Sequence, residues 1–167
     1  MSKNPLRILM LAGSLLLLGA NPALADRDDD REAINALMWR YARALDTFNP
    51  EAYVAVYTED GEFLSGGASG TRGRQALYDM VAGLKASREQ RAANGEPPAP
   101  MFHMTADSWI EFIDDNHARH HSYWMTVFGA NGPGTTPNVA AAGRGVDELV
   151  KVNGQWLIKS RNVAPQD

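Results

Sequence analysis

The chain has 167 residues, no cysteine and a formal net charge of −4. Without thiols there are no disulfides, no thiolate metal sites and no cysteine nucleophile. The acidic balance argues against a phosphate-binding surface, so no nucleic-acid partner is expected.

At the start of the chain, Lys3 and Arg7 precede an apolar run from Ile8 to Ala20, and Ala23-Leu24-Ala25 supplies the small residues that a signal peptidase requires. This pattern predicts a signal peptide over residues 1–25, cut after Ala25, and a periplasmic or secreted product. The apolar run is shorter than the roughly 18 to 20 residues that a bilayer core demands, so no membrane association is expected after cleavage. Residues 26–167 are of a size to form one domain around one core.

The acidic stretch DRDDDRE beginning at Asp26 suits a helix N-terminus, where unpaired amides carry partial positive charge. Ile34, Leu37, Met38, Tyr41 and Leu45 then follow helical spacing. Asn49 caps and Pro50 opens a second, shorter helix through about Tyr57. Asp60-Gly61 reads as a turn into a short strand, Glu62 to Leu64, and the glycine-rich stretch from Gly66 to Gly73 reads as a loop without the lysine of a nucleotide cradle.

From Arg74 to about Arg91 the stripe Leu77, Met80, Val81, Leu84 predicts another helix, ended by the breakers from Asn94 to Pro100. Its basic residues are interleaved with Asp79 and Glu89, the pattern of a solvated face. Four strands follow, Phe102–Ile113, His117–Phe128, Asn138–Val152 and Gln155–Val163. The last two are joined by Asn153-Gly154, a pair that accepts the positive φ angles of a tight hairpin turn. Helices first and an antiparallel meander second make an α+β domain in which the sheet curls around the helices and leaves a pocket between the layers.

Three segments carry a resemblance: the helix-turn-helix ending on Asp46, the strand FHMTADSWIEF with His103, and the hairpin DELVKVNGQWLIKSR with Trp156 and Arg161. Together they resemble the SnoaL-like branch of the nuclear transport factor 2-like superfamily, which includes scytalone dehydratase, bile-acid dehydratase and hexachlorocyclohexane dehydrochlorinase. The resemblance implies a cone-shaped barrel, with a curved antiparallel sheet wrapped around N-terminal helices, over the whole of 26–167. In lyases of that family an aspartate near the end of the first helix orients a histidine that removes a substrate proton. Asp46 and His103 match those positions. A neutral imidazole titrates near physiological pH, and a carboxylate on its second nitrogen fixes the tautomer and stabilises the imidazolium. The bland alternative is a buried pair that only satisfies itself.

Tyr41 matches a phenol of the bile-acid dehydratase pattern that would serve a substrate oxygen, although it also lies on the apolar stripe of the first helix. By alternation, His117, Arg119, His121 and Tyr123 share one face of their strand, with His120, Ser122 and Trp124 on the other, and only one set can face the cavity. Aligned on the family, His121 takes the place of the second histidine of scytalone dehydratase, and a bulge would exchange it for His120. His117 is expected in solvent. His117 and His121 lack an obvious third ligand, so no metal site is expected.

Phe63, Phe102 and Trp124 are expected at the substrate pocket, with Gly143 and Gly145 leaving room for a bulky ligand in its wall, unless they mark a bend. Trp39, Met104, Trp109 and Met125 are further apolar candidates, most of them expected in the core. The reading that follows is an exported, cofactor-independent lyase performing a dehydratase-type β-elimination, or losing formaldehyde or another small group, on a small hydrophobic, aromatic, polyketide or steroid-like molecule. Alternatives are an isomerase like the ketosteroid isomerases, in which Asp46 shuttles the proton, and a non-catalytic binding or assembly module. The resemblance also implies a homodimer or homotrimer.

Overall fold

The computed structural model describes residues 22–66, 70–96 and 98–165. Most of the expected signal peptide lies outside these residues. The first element, α1 (Pro22–Asp46), includes residues 22–25, so the expected cut after Ala25 falls within its bounds. The acidic run consequently sits inside the helix and not in its first turn. One of its members has a tertiary role. Asp30 is buried and accepts hydrogen bonds from Trp156 Nε1 at 2.8 Å and Lys151 Nζ at 2.6 Å, tying the helix to the terminal hairpin.

The helical stripe is buried as its spacing predicts: Ile34, Leu37, Met38, Tyr41 and Leu45 all enter the core. Each such side chain contributes about 1.5 to 3 kcal/mol of transfer free energy. After Asp46 the Thr47 hydroxyl donates to the Arg43 carbonyl at 2.7 Å, and Phe48 takes a left-handed φ of 52° that turns the chain. The Asn49 side chain then accepts from the Ala52 amide at 2.9 Å and opens α2 (Pro50–Ala55). This corner fixes where Asp46 stands.

β1 (Tyr57–Leu64) begins at Tyr57, where the second helix was expected to end; that helix stops at Ala55. Asp60-Gly61 lies within this strand, not before it, at a place where the register against its neighbour shifts. A Cβ on Gly61 would lie 2.9 Å from Tyr57 Cδ1, so the glycine permits a tight bend in the strand. β2 (Thr71–Arg72) pairs with β1 inside the stretch expected to be a plain loop. In α3 (Arg74–Ala93), Leu77 and Val81 are buried.

β3 (Met101–Phe112), β4 (His117–Phe128), β5 (Asn138–Val152) and β6 (Gln155–Asn162) form the expected meander. Asn153 and Gly154, with φ of 51° and 79°, make its final turn. The sheet order is β2-β1-β6-β5-β4-β3, and β1 runs parallel to β6, so the sheet is mixed and not purely antiparallel. It curves around α1, which packs on both β3 and β6. β3 is an edge strand, and its register against β4 shifts between Ala106 and Trp109, where Asp107 adopts a φ of 47°. Among the described residues, no helix is long and apolar enough to cross a membrane.

Candidate active site

Between the helices and the sheet lies a cavity of about 320 Å³. Tyr41, Ala42 and Leu45 of α1 and Tyr53 of α2 line one side, and Met80 and Leu84 of α3 border it. Phe63, Met101, His103, Trp124, Thr126, Ala141 and Arg161 line the sheet side. A larger groove of about 680 Å³ crosses the outer sheet face, but most charges along it are held in ion pairs, Lys159 with Asp60 inside the groove and Glu59, His117 and Arg119 with Arg74, Asp114 and Glu111 beside it. The inner cavity holds the group that can move a proton.

That group is His103. A carboxylate at the C-terminal end of a helix opposes the helix dipole, so Asp46 needs donors there. It obtains two from one residue: its Oδ1 accepts the His103 backbone amide at 2.8 Å and lies 2.8 Å from His103 Nδ1. Arg43 adds a looser contact to Oδ2 at 3.6 Å. Since an ionised carboxylate only accepts, Nδ1 carries the hydrogen, which in the neutral ring leaves the lone pair on Nε2. The Asp46 side chain is 6% exposed and that of His103 22%, so the acid is enclosed while the imidazole remains accessible.

Beneath the dyad the cavity wall turns polar. Tyr41, Tyr53 and Tyr57 pack ring against ring, with centroids 5.1 to 6.3 Å apart, and the Tyr53 and Tyr57 hydroxyls are 3.0 Å apart. Burial pushes all three phenols above their ordinary pKa, so they stay protonated and can donate at neutral pH. The Arg161 guanidinium lies 4.3 Å from the centre of the Tyr41 ring. Burial opposes its charge, but the Asp147 carboxylate paired with it holds Arg161 cationic at neutral pH. Asp147 Oδ2 pairs with Arg161 Nη1 and also lies 3.1 Å from His120 Nδ1.

Several expected site residues stand elsewhere. His121 faces the outer surface, stacked on Trp109 at 4.8 Å and 3.3 Å from Glu111 Oε2. The inward histidine is His120, because Ala118, His120, Ser122, Trp124 and Thr126 hold the inner face of β4. His117 is exposed beside Asp114, as its place at the turn predicts. Phe102 is 45% exposed on the outer face, next to its inward neighbour His103.

Trp39 and Trp109 are exposed too, outside both core and cavity. Gly143 leaves room for a side chain of the protein and not for a ligand: a Cβ there would sit 2.9 Å from the Trp124 indole. That indole is pinned by Nε1 contacts to the carbonyls of Arg144 and Val163. Phe63 and Trp124 do line the cavity, and Met104 stands at its rim. Among the described residues no group of three or more His, Cys, Asp or Glu could hold a metal ion.

Comparison with known proteins agrees with this architecture. A family described as SnoaL-like domain matches residues 26–162. No curated protein matches the chain in sequence. Among solved structures, a protein of unknown function from Mycobacterium tuberculosis is similar at TM-score 0.70 and 24% identity, over 86% of this chain and 75% of that one. A protein from Novosphingobium aromaticivorans, proposed to be a scytalone dehydratase, is similar at 0.66 and 24%, over 83% of this chain and 85% of its own. A second protein of that organism, described as NTF2-like with a cystatin-like fold, is similar at 0.69 and 21%, over 90% and 92%. At these identities the structures speak for the fold alone. With the family match spanning nearly all of the described residues, the chain belongs to the SnoaL-like domain family.

Proposed function

We propose that this protein is an exported lyase that carries out a base-assisted β-elimination, most simply loss of water, on a small hydrophobic hydroxylated molecule. The observation that carries the reading is the Asp46–His103 hydrogen bond at 2.8 Å on the wall of an apolar cavity. His103 Nε2 removes the proton beside an activating group, and Asp46 stabilises the imidazolium that forms. Tyr41, a neutral phenol on the cavity wall, serves as donor to the departing oxygen, and the Arg161 cation stabilises the negative charge that develops. This division of labour replaces the one expected of His121. The base and the donor are both side chains, so the step needs no cofactor. Loss of formaldehyde or another small group follows the same logic.

The isomerase reading is less well supported. It needs Asp46 to reach the substrate, whereas the Asp46 side chain is buried and its Oδ1 is occupied twice by His103.

To test the reaction, the mature protein is offered hydroxylated aromatic and steroid-like compounds, and loss of water or formaldehyde is followed by mass spectrometry. His103→Ala and Asp46→Asn should each cut turnover by about 10² or more while the fold stays intact, the size expected for losing a general base or its orienting partner. Unchanged turnover in His103→Ala sinks the mechanism. Export rests on the leader pattern, and protein from the periplasm or medium should begin at Asp26. A homo-oligomer is proposed through the outer sheet face, which exposes Phe102, Met104, Trp109, Tyr123 and Met125 together. Solution mass measurement tests it.

A further inference from the structure

We propose that a subsite for one hydroxyl group of the ligand lies directly behind the cavity wall, built from Ser122, Asp147 and Arg161 around Gly145; Arg161 lines the cavity, whereas Ser122, Asp147 and Gly145, the last expected at the pocket, stand behind its lining. The three side chains belong to residues only 3%, 0% and 4% exposed. Yet Ser122 Oγ, Asp147 Oδ1 and Arg161 Nε have no hydrogen-bond partner among the described residues. Buried polar atoms are rarely left unpaired, so three on neighbouring positions of one sheet face point to a group that completes them.

The strand register brings them together. Ser122 stands opposite Gly145 and Asp147 opposite Arg161, while Gly145 and Asp147 are two residues apart on β5 and face the same way. Directly opposed and diagonal neighbours on one sheet face lie within reach of each other's side chains. Gly145 supplies the space. Its φ is not positive, so the backbone does not demand glycine there. A Cβ at this position would meet the Asn162 carbonyl oxygen, Ser122 Oγ and Trp124 Cδ1 only at 3.5 Å, an ordinary contact. The glycine therefore leaves a gap of about one methyl group beside the serine hydroxyl, in contrast to Gly143, whose space the Trp124 ring has taken.

Donor and acceptor counting selects the ligand. Asp147 Oδ1 only accepts, Arg161 Nε only donates, and Ser122 does either. A group that satisfies both ends must accept from arginine and donate to aspartate. A hydroxyl does so. A ketone or ether lacks the donor, and a carboxylate adds a second negative charge beside Asp147. Arg161 itself lines the cavity, so a ring held among Tyr41, Phe63 and Trp124 can direct an alcohol or phenol into the gap.

The inference needs the cavity but not the dyad, and binding tests it apart from turnover. Calorimetry with 2-naphthol and its isostere 2-methylnaphthalene is run on the mature wild-type protein, Gly145→Ala and Ser122→Ala. The wild type should prefer the naphthol by about tenfold, the ratio that one net hydrogen bond to a charged group supplies. Gly145→Ala fills the gap and Ser122→Ala removes one partner, so both should erase most of the preference and leave the methyl compound bound as before. Equal affinities in the wild type, a preference that survives in both variants, or no binding of either compound overturns the proposal. So does a crystal structure of the naphthol complex in which a buried water bridges the three atoms and the ligand hydroxyl points elsewhere. Lost turnover with the preference intact counts against the lyase reading alone, and a lost preference with turnover intact counts against this subsite alone.

Discussion

The protein contains two inward histidine–aspartate pairs with nearly the same internal geometry and opposite surroundings. His103 lies 2.8 Å from Asp46 and keeps 22% of its side chain exposed; His120 lies 3.1 Å from Asp147 and keeps 2%. Asp46 spends one oxygen on the ring and backbone of a single residue, whereas Asp147 divides one oxygen between His120 and a buried arginine. A carboxylate beside an imidazole is therefore not in itself a site. What separates the pairs is whether the far ring nitrogen meets a space that a substrate can enter. On the lyase reading proposed above, the Asp46–His103 pair is the one that transfers a proton, and the inner Asp147–His120 pair holds a charge in place.

The strongest way to break this contrast is Asp147→Ala. It leaves Arg161 as an uncompensated buried cation and should cost about 3 to 5 kcal/mol of stability, measured by denaturant unfolding. A loss below about 1 kcal/mol would show that the inner pair is not structural. Next comes His103→Ala, whose hundredfold loss of turnover corresponds to about 2.7 kcal/mol in the barrier. Its melting temperature should move less than that of His120→Ala, because His103 is partly solvated already.

Asp30 sharpens the comparison as a buried acid with no histidine. Asp30→Ala strands the Trp156 indole N–H and the Lys151 ammonium and should cost about 1 to 3 kcal/mol. Burial alone would raise the Asp30 pKa, but Lys151 and Trp156 outweigh it and hold the pKa below the usual carboxylate value. A depressed folded pKa means that the stabilisation is complete above the unfolded value near 3.9 and fades as pH falls through the lower folded value. An acid titration followed by circular dichroism should thus show Asp30→Ala approaching the wild type only as pH falls below the ordinary carboxylate value. The smallest effect is at Asn49→Ala, about 1 kcal/mol for a lost N-cap. Because that cap fixes the corner after Asp46, turnover should fall along with stability.

Much of this was legible in the sequence. The stripe from Ile34 to Leu45 and the Asn153-Gly154 turn are local signals, set by helical spacing and by turn conformation. The contact between Asp46 and His103 was anticipated through the resemblance. His121 was misplaced, although the alternation of β4 carried the answer: Trp124 and His121 have opposite parity and could not both face the cavity. The buried Arg161–Asp147 pair was not anticipated, because it depends on the β5–β6 register, which neither residue announces. The same holds for the parallel contact of β1 with β6, which joins segments nearly a hundred residues apart.

The bend at Asp107 bears on a different hazard. The strand carrying His103 is the last of its sheet, so among the described residues one row of its backbone amides and carbonyls has no neighbouring strand, although Asp46 takes the His103 amide. Such a free margin is a template onto which another chain can add and begin to aggregate. A left-handed acidic residue midway along it interrupts the straight run that templating requires. The protein can thus keep the strand of His103 at the border of the sheet without inviting its own copies to zip onto it.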